Sequence, residues 1–196
     1  MLICPAKPFD INAIMAIEHC AFIPEIQEKQ KTFEERIKTY PEGFLVLADT
    51  TDKVVLEHGK ALVCGYFSSE LWYSIPDTDD IFTLGHPAKK SHRTDGSVLY
   101  ISSFALLTQY RGKGLARTFF HDSIRAICGG NKNIKQVLLL VNEEWTGAHH
   151  IYETEGFTEI RRLPGFFSSM HKEKADGILM KCNADTFNTE GLTDEQ

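Results

Sequence analysis

Long apolar runs are missing from this sequence. The longest, "VLLLV" and the stretch around "SFALL", fall far short of the roughly 20 residues that a membrane-spanning helix needs. The first residues, "MLICPAKPFD", lack a basic segment followed by a long apolar one. No signal peptide is expected, and the expected location is the cytoplasm. A basic excess is missing too. The formal net charge of −6 argues against general binding to nucleic acid. It favours a cationic substrate only weakly, because mild acidity is common among cytosolic domains. The five cysteines (Cys4, Cys20, Cys64, Cys128 and Cys182) are odd in number, widely spaced and free of any CxxC pair. Neither a disulfide framework nor a zinc knuckle is expected from them. No internal repeat is present.

What remains is an ordinary soluble composition, 42% hydrophobic and 24% charged over 196 residues, enough for one domain with a real core. Residues 2 to 9 read as a short strand. Asp10 is placed to cap a helix whose apolar face is Ile11, Ile14, Met15, Ile17 and Ala21. "QEKQKTFEERIKTY" reads as a second helix ended by Pro41. "GFLVLAD" and "GKALVCGYFSS" read as strands flanking the loop "TTDKVVLEHG". Residues 70 to 97 form a long loop rich in turn residues, and such loops are often functional. "VLYISSFALL" is near-continuously apolar, as expected of a central strand covered on both faces. Ala116, Phe120, Ile124 and Ile127 mark the next helix, stopped by Gly129 and Gly130. "QVLLLV" is a second central strand. "EEWTGAHHIYETEG" is a helix ending at Gly156, and "FTEIRRL" and "DGILMKC" are late strands joined by "PGFFSSMHKEKA". The chain reads as one mixed α/β domain over residues 1–183, with a polar tail over 184–196.

The stretch "QYRGKGLART" lies between the first central strand and its helix. Unpartnered N–H groups and the positive end of a helix dipole meet there, and glycine lets a phosphate approach the backbone. The plainer reading is a surface turn with a basic rim. The Walker pattern GxxxxGK[ST] is absent, and GxGxxG fails because its last position is Arg117. What remains is Arg111-x-x-Gly114-x-Ala116 between a buried strand and an amphipathic helix. This resembles the coenzyme A pyrophosphate loop of the GCN5-related N-acetyltransferases (GNAT). "AHHIYETEGF", about thirty residues later, is similar to that family's A-x-x-x-Y-x-x-x-G-F segment. Within the family, "IEHCAFIPE" and "FEERIKTYPEGFLVLAD" look most like the arylalkylamine group.

The resemblance implies a central mixed sheet flanked by helices, with Val98–Leu107 and Gln136–Asn142 splayed around acetyl-CoA as cosubstrate and no metal. It implies that Phe104, Ala105 and Leu106 pair with the pantetheine arm. The Leu106 N–H then faces the thioester oxygen, and Arg111, Gly112, Lys113, Gly114, Leu115, Ala116 and Arg117 cradle the pyrophosphate. Asn142 is a further cofactor contact. Tyr152 is the general acid for the leaving thiolate; alternatively it is a core aromatic. The arylalkylamine group relays the amine's proton through two histidines, and the matching positions here are Tyr100 and Ser102. Neither is a good base at neutral pH. Glu18, His19 and Glu70 are candidates by rough position.

The implied activity is acetyl transfer to a primary amine of a small molecule, without nucleic acid or membrane as partner. Phe22, Trp72, Tyr73, Phe166 and Phe167 suit an apolar amine, or are simply core. A protein N-terminus or lysine is an alternative acceptor, since "FFSSMHKEKADGILM" is similar to the aromatic hairpin of N-terminal acetyltransferases. A non-catalytic acyl-CoA-binding module is a third reading. The adjacent His149 and His150 diverge by about 100° on a helix and do not suit a shared metal. Cys64 reads as packing, and "DTDD" at 77–80 as a solvated turn.

Overall fold

The computed structural model describes residues 1–50, 61–169, 171 and 173–187. The expected loop "TTDKVVLEHG" falls almost wholly outside the described residues, as does the tail from 188 onward. The elements run β1 (Leu2–Pro5), α1 (Ile11–Ala21), α2 (Gln30–Thr39), β2 (Phe44–Asp49), β3 (Leu62–Trp72), α3 (Ala88–Ser91), β4 (Val98–Leu106), α4 (Leu115–Gly130), β5 (Gln136–Asn142), α5 (Thr146–Thr154), β6 (Thr158–Ser168) and β7 (Lys174–Asn183). Apart from the one-turn α3, this is the expected order. Among the described residues, no helix is long and apolar enough to cross a membrane.

The seven strands form one sheet in the order β1-β2-β3-β4-β5-β7-β6. Every neighbouring pair is antiparallel except β4 and β5. Both faces are covered. Phe33, Ile14 and Ile17 of α1 and α2 pack with Phe44, Val46 and Tyr66 on one side. Phe119, Phe120 and Ile124 of α4 pack with Phe67, Leu99 and Val137 on the other. Each fully buried phenylalanine contributes roughly 1.5–3 kcal/mol by leaving water. The central strands carry continuous apolar runs because neither face is solvated.

The middle of the sheet is irregular. Ser68 pairs with Ser103 and Ser69 with Ile101, so Ser102 has no residue opposite it on β3. One extra residue on one strand is a β-bulge, and a bulge bends its strand. The parallel pairing of β4 with β5 ends at Ile101↔Leu139, one residue before the bulge. Beyond it β4 follows β3, while β5 stays with β7 to its last pair, Asn142↔Gly177. The two strands open into a V.

Several boundaries depart from the sequence reading. The first strand stops at Pro5. A 3-10 turn over Pro8–Asp10 follows, and Asp10 accepts the Lys7 N–H (2.8 Å), closing that turn instead of capping α1. β3 runs on to Trp72. Gly129 and Gly130 lie inside the last turn of α4, which ends on Asn131. β6 does not stop at Leu163. "PG" falls in a register irregularity between Leu163 and Phe167, with Gly165 at φ +60°, and the strand continues to Ser168. The core also outlasts the expected boundary at residue 183. Ala184 and Phe187 are fully buried, and Phe187 packs on His121 and Phe157.

Candidate active site

A cleft of about 1180 Å³ occupies the V between β4 and β5. One end reaches the turn between β4 and α4. There Arg111, Gly112, Gly114, Ala116 and Arg117 line it. Gly112 and Gly114 have φ of +75° and +74°. That left-handed region favours glycine, and a Cβ on either would meet nothing within 4 Å, so the space before the turn is open. The first turn of α4 carries no acidic residue to oppose an anion. Arg111 Nε donates to the Leu106 carbonyl (3.0 Å) and ties the turn to the strand end. Arg117 Nε pairs with Glu155 (2.6 Å), which also holds His121 (2.7 Å). Two expected loop residues are absent from the lining. Lys113 is exposed beyond it, and Leu115 packs on the core.

Phe104, Ala105 and Leu106 form one wall. Leu107 donates its N–H to Cys64 on β3 (2.9 Å). By the alternation of an extended strand, the Leu106 N–H turns to the opposite side, toward the cleft. Trp145, Ala148, Ile151 and Tyr152 form the facing wall. The Tyr152 ring packs on Phe120 at 5.0 Å and Phe157 at 6.0 Å, and burial pushes its phenol up. Among the described residues, no side chain or backbone group hydrogen-bonds its hydroxyl. Asn142 lies off the cleft. Its Oδ1 accepts the Glu144 N–H (2.9 Å) and its carbonyl accepts that of Trp145 (3.0 Å), so it shapes the turn into α5.

The other end is polar. Glu18, Glu28 and Arg36 line it from the α1–α2 side, and Phe82 and His86 from the long loop. Glu28 pairs with Arg36 (2.8 Å) and accepts the Gly85 N–H (3.0 Å), which pins that loop. His86 hydrogen-bonds Glu70, whose other oxygen accepts from Ser91. Burial raises the Glu70 carboxyl, and these two partners overcome it and hold it below its ordinary value. Glu70 is therefore a hydrogen-bonded anchor for the loop, off the cleft. His19 lies on the exposed face of α1. Tyr100 lines the cleft but is stacked on Trp72 at 4.1 Å. Ser102 also lines it and is bonded to Ser68 (2.9 Å). Of the expected aromatics, Phe22, Phe166 and Phe167 line the cleft, whereas Trp72 is core and Tyr73 is exposed.

Glu18 is only 1% exposed. Its Oε2 accepts from the Tyr66 hydroxyl and its Oε1 from the Glu28 N–H (2.7 Å). Burial pushes its carboxyl up to about 7. The folded chain thus holds this proton more tightly than the unfolded chain, whose carboxyl titrates near 4.5. The stability this adds is complete below pH 4.5 and is lost as pH rises through 7. Urea titrations of wild type are expected to lose on the order of 2 kcal/mol from this source between pH 5 and pH 8, a loss absent from Glu18→Gln. Equal pH dependence in the two proteins would refute it.

No protein-family model and no curated protein matches this chain. Solved structures do. The ribosomal-protein-S18-alanine N-acetyltransferase from Escherichia coli is 15% identical over 100% of this chain and 99% of its own, with a TM-score of 0.66. The loading GNATL domain of CurA from Lyngbya majuscula is 14% identical over 94% and 98%, with a TM-score of 0.74. The GphF GNAT-like decarboxylase, in complex with isobutyryl-CoA, is 12% identical over 94% and 100%, with a TM-score of 0.72. With its V-shaped central gap and the glycine turn at one end, the chain has the fold of the GCN5-related N-acetyltransferases.

Proposed function

We propose that this chain is an acetyl-CoA-dependent N-acetyltransferase acting on a primary amine of a small molecule. The observation that carries the reading is the gap between β4 and β5, open at one end onto the Gly112 and Gly114 turn and bordered by Tyr152 along its length. The turn, Arg111 and Arg117 suit a pyrophosphate. The walls suit a pantetheine arm, with N–H groups on one strand and apolar side chains on α5. The neutral amine nitrogen attacks the thioester carbon, the Leu106 N–H receives the negative oxygen, the C–S bond breaks as Tyr152 gives its proton to the thiolate, and the nitrogen gives up one N–H proton, which restores Tyr152.

A small acceptor is supported by the closure above the acetyl end. Phe22 meets Trp145 at 5.3 Å, Trp145 meets Phe167 at 5.7 Å, and β6 packs on the Pro24–Ile26 turn. This aromatic bridge leaves little room for an extended chain. A protein N-terminus is the second reading, because a ribosomal-protein N-acetyltransferase aligns along the whole chain.

The test is thiol release from acetyl-CoA with 2-phenylethylamine, spermidine, an aminoglycoside and an alanine-initiated peptide. Release with a small amine is expected. Release with the peptide alone would replace the small-molecule reading with the second one. Coenzyme A binding with no turnover on any amine would make the chain a binding module.

A further inference from the structure

Three polar groups run in file from the cleft into the core beneath it. Ser103 lines the cleft one residue beyond the bulge of β4. Its Oγ lies 2.7 Å from the hydroxyl of Tyr66 on β3. Tyr66 is fully buried among Phe33, Phe44 and Ile17, and its hydroxyl is bonded in turn to Glu18 Oε2 at the end of α1. The other oxygen of Glu18, Oε1, accepts the Glu28 N–H.

We propose that Ser103, Tyr66 and Glu18 form a proton relay that takes the proton from the attacking amine. The inference rests on the acetyltransferase reading and supplies the base that reading lacks. The substrate arrives as an ammonium and gives one N–H proton to Ser103 Oγ. The Ser103 hydroxyl proton passes to the Tyr66 oxygen, and the Tyr66 proton passes to the Glu18 carboxylate. Each hydroxyl gains one proton and loses one, so both stay neutral, and Glu18 ends as a carboxylic acid. The nitrogen lone pair freed by this transfer forms the bond to the acetyl carbon, and the second N–H proton, made acidic by that bond, replaces the one Tyr152 gives to the thiolate. Glu18 later returns the proton to solvent through the cleft that it lines.

The charge environment suits a base working near neutrality. Burial is the main influence on Glu18 and raises its carboxyl. The Tyr66 hydrogen bond from β3 and the Glu28 N–H lower it, the Glu28 carboxylate from the α1–α2 connection raises it, and Arg36 from α2 lowers it. The balance, about 7, leaves it part ionised at neutral pH, where a general base is most effective. Tyr100 and Ser102, where relay histidines are expected, are committed elsewhere, to Trp72 and Ser68.

The test is the pH profile of acetyl-CoA turnover with 2-phenylethylamine and spermidine, for wild type and Glu18→Gln, Tyr66→Phe and Ser103→Ala. Wild-type turnover is expected to rise with pH and level off above about 7, because the base must be ionised. Each variant is expected to lose about 100-fold in kcat, the low end for general-base catalysis, with coenzyme A binding retained. In Tyr66→Phe, Glu18 loses the donor that lowers it, so any residual limb moves to higher pH. Ser103→Ala removes an oxygen from the cleft wall rather than the core, so it tests the relay even where Tyr66→Phe folds poorly. Wild-type profiles in Tyr66→Phe and Ser103→Ala overturn the relay, including the case where Glu18→Gln alone is impaired. No thiol release with either amine or any other of the panel in wild type overturns the acetyltransferase reading, and the relay with it.

Discussion

Replacing Gly112 and Gly114 together by valine is expected to raise the dissociation constant for coenzyme A by about a thousandfold, near 4 kcal/mol. Both positions lie at φ near +75°. A β-branched residue there costs about 1–3 kcal/mol per position if the turn keeps its shape. If the turn relaxes instead, the α4 N-terminus loses the open approach that the two glycines give it. If the shape is kept, the valine side chains fill the open space before the turn that an anion would occupy, so binding is lost by either route. Calorimetric titration with coenzyme A measures it. The thermal midpoint of the ligand-free variant shows which route was taken: a large fall means that the strain was kept. Wild-type affinity in the double variant would remove this turn from the binding site.

Tyr152→Phe is expected to lower kcat about a thousandfold and to leave coenzyme A affinity within about twofold, the signature of a group used in the chemical step. The ring supplies the packing against Phe120 and Phe157, and phenylalanine keeps it. Only the hydroxyl is lost. It faces the cleft without a partner among the described residues, so its removal orphans no buried group. Burial keeps it protonated at neutral pH, as a proton donor must be. Steady-state kinetics with saturating acetyl-CoA, beside calorimetry with coenzyme A, separates the two quantities. Unchanged kcat would leave Tyr152 as a core aromatic.

The parts of this fold that were legible in the sequence are those that local physics determines. Hydrophobic runs over 98–107 and 136–142 marked the central strands, because two-sided burial leaves no room for alternation. Gly112 and Gly114 marked the turn, because few other residues adopt its backbone. The bulge at Ser102 was not legible. It is a property of how β4 registers on β3, and nothing local to "YISSFA" distinguishes a bulged residue from a paired one. Ser103, Tyr66 and Glu18 come from β4, β3 and α1, 37 and 48 residues apart in sequence for the two hydrogen bonds. Glu18 was visible as a candidate by position, but its partners were not. The same holds for Glu28, Arg36 and His86, which meet only because the loop folds back onto α2. Asn142 shows the converse. It lies at the end of a cofactor-side strand, yet its side chain serves the turn that follows.

A strand with no partner on one flank is ordinarily a hazard, because another chain can add to it and begin a fibril. Sheets usually meet that hazard at their outer strands, with charge, proline or early termination. Here an unpaired flank is created in the middle of the sheet, where β4 leaves β5 after Ile101. The V is roofed by α5 and by the bridge of Phe22, Trp145 and Phe167. A polypeptide strand of another molecule would have to displace that roof to pair with β4, whereas the slender arm proposed above would not. The same geometry that keeps a backbone edge available to a ligand also shields it from aggregation.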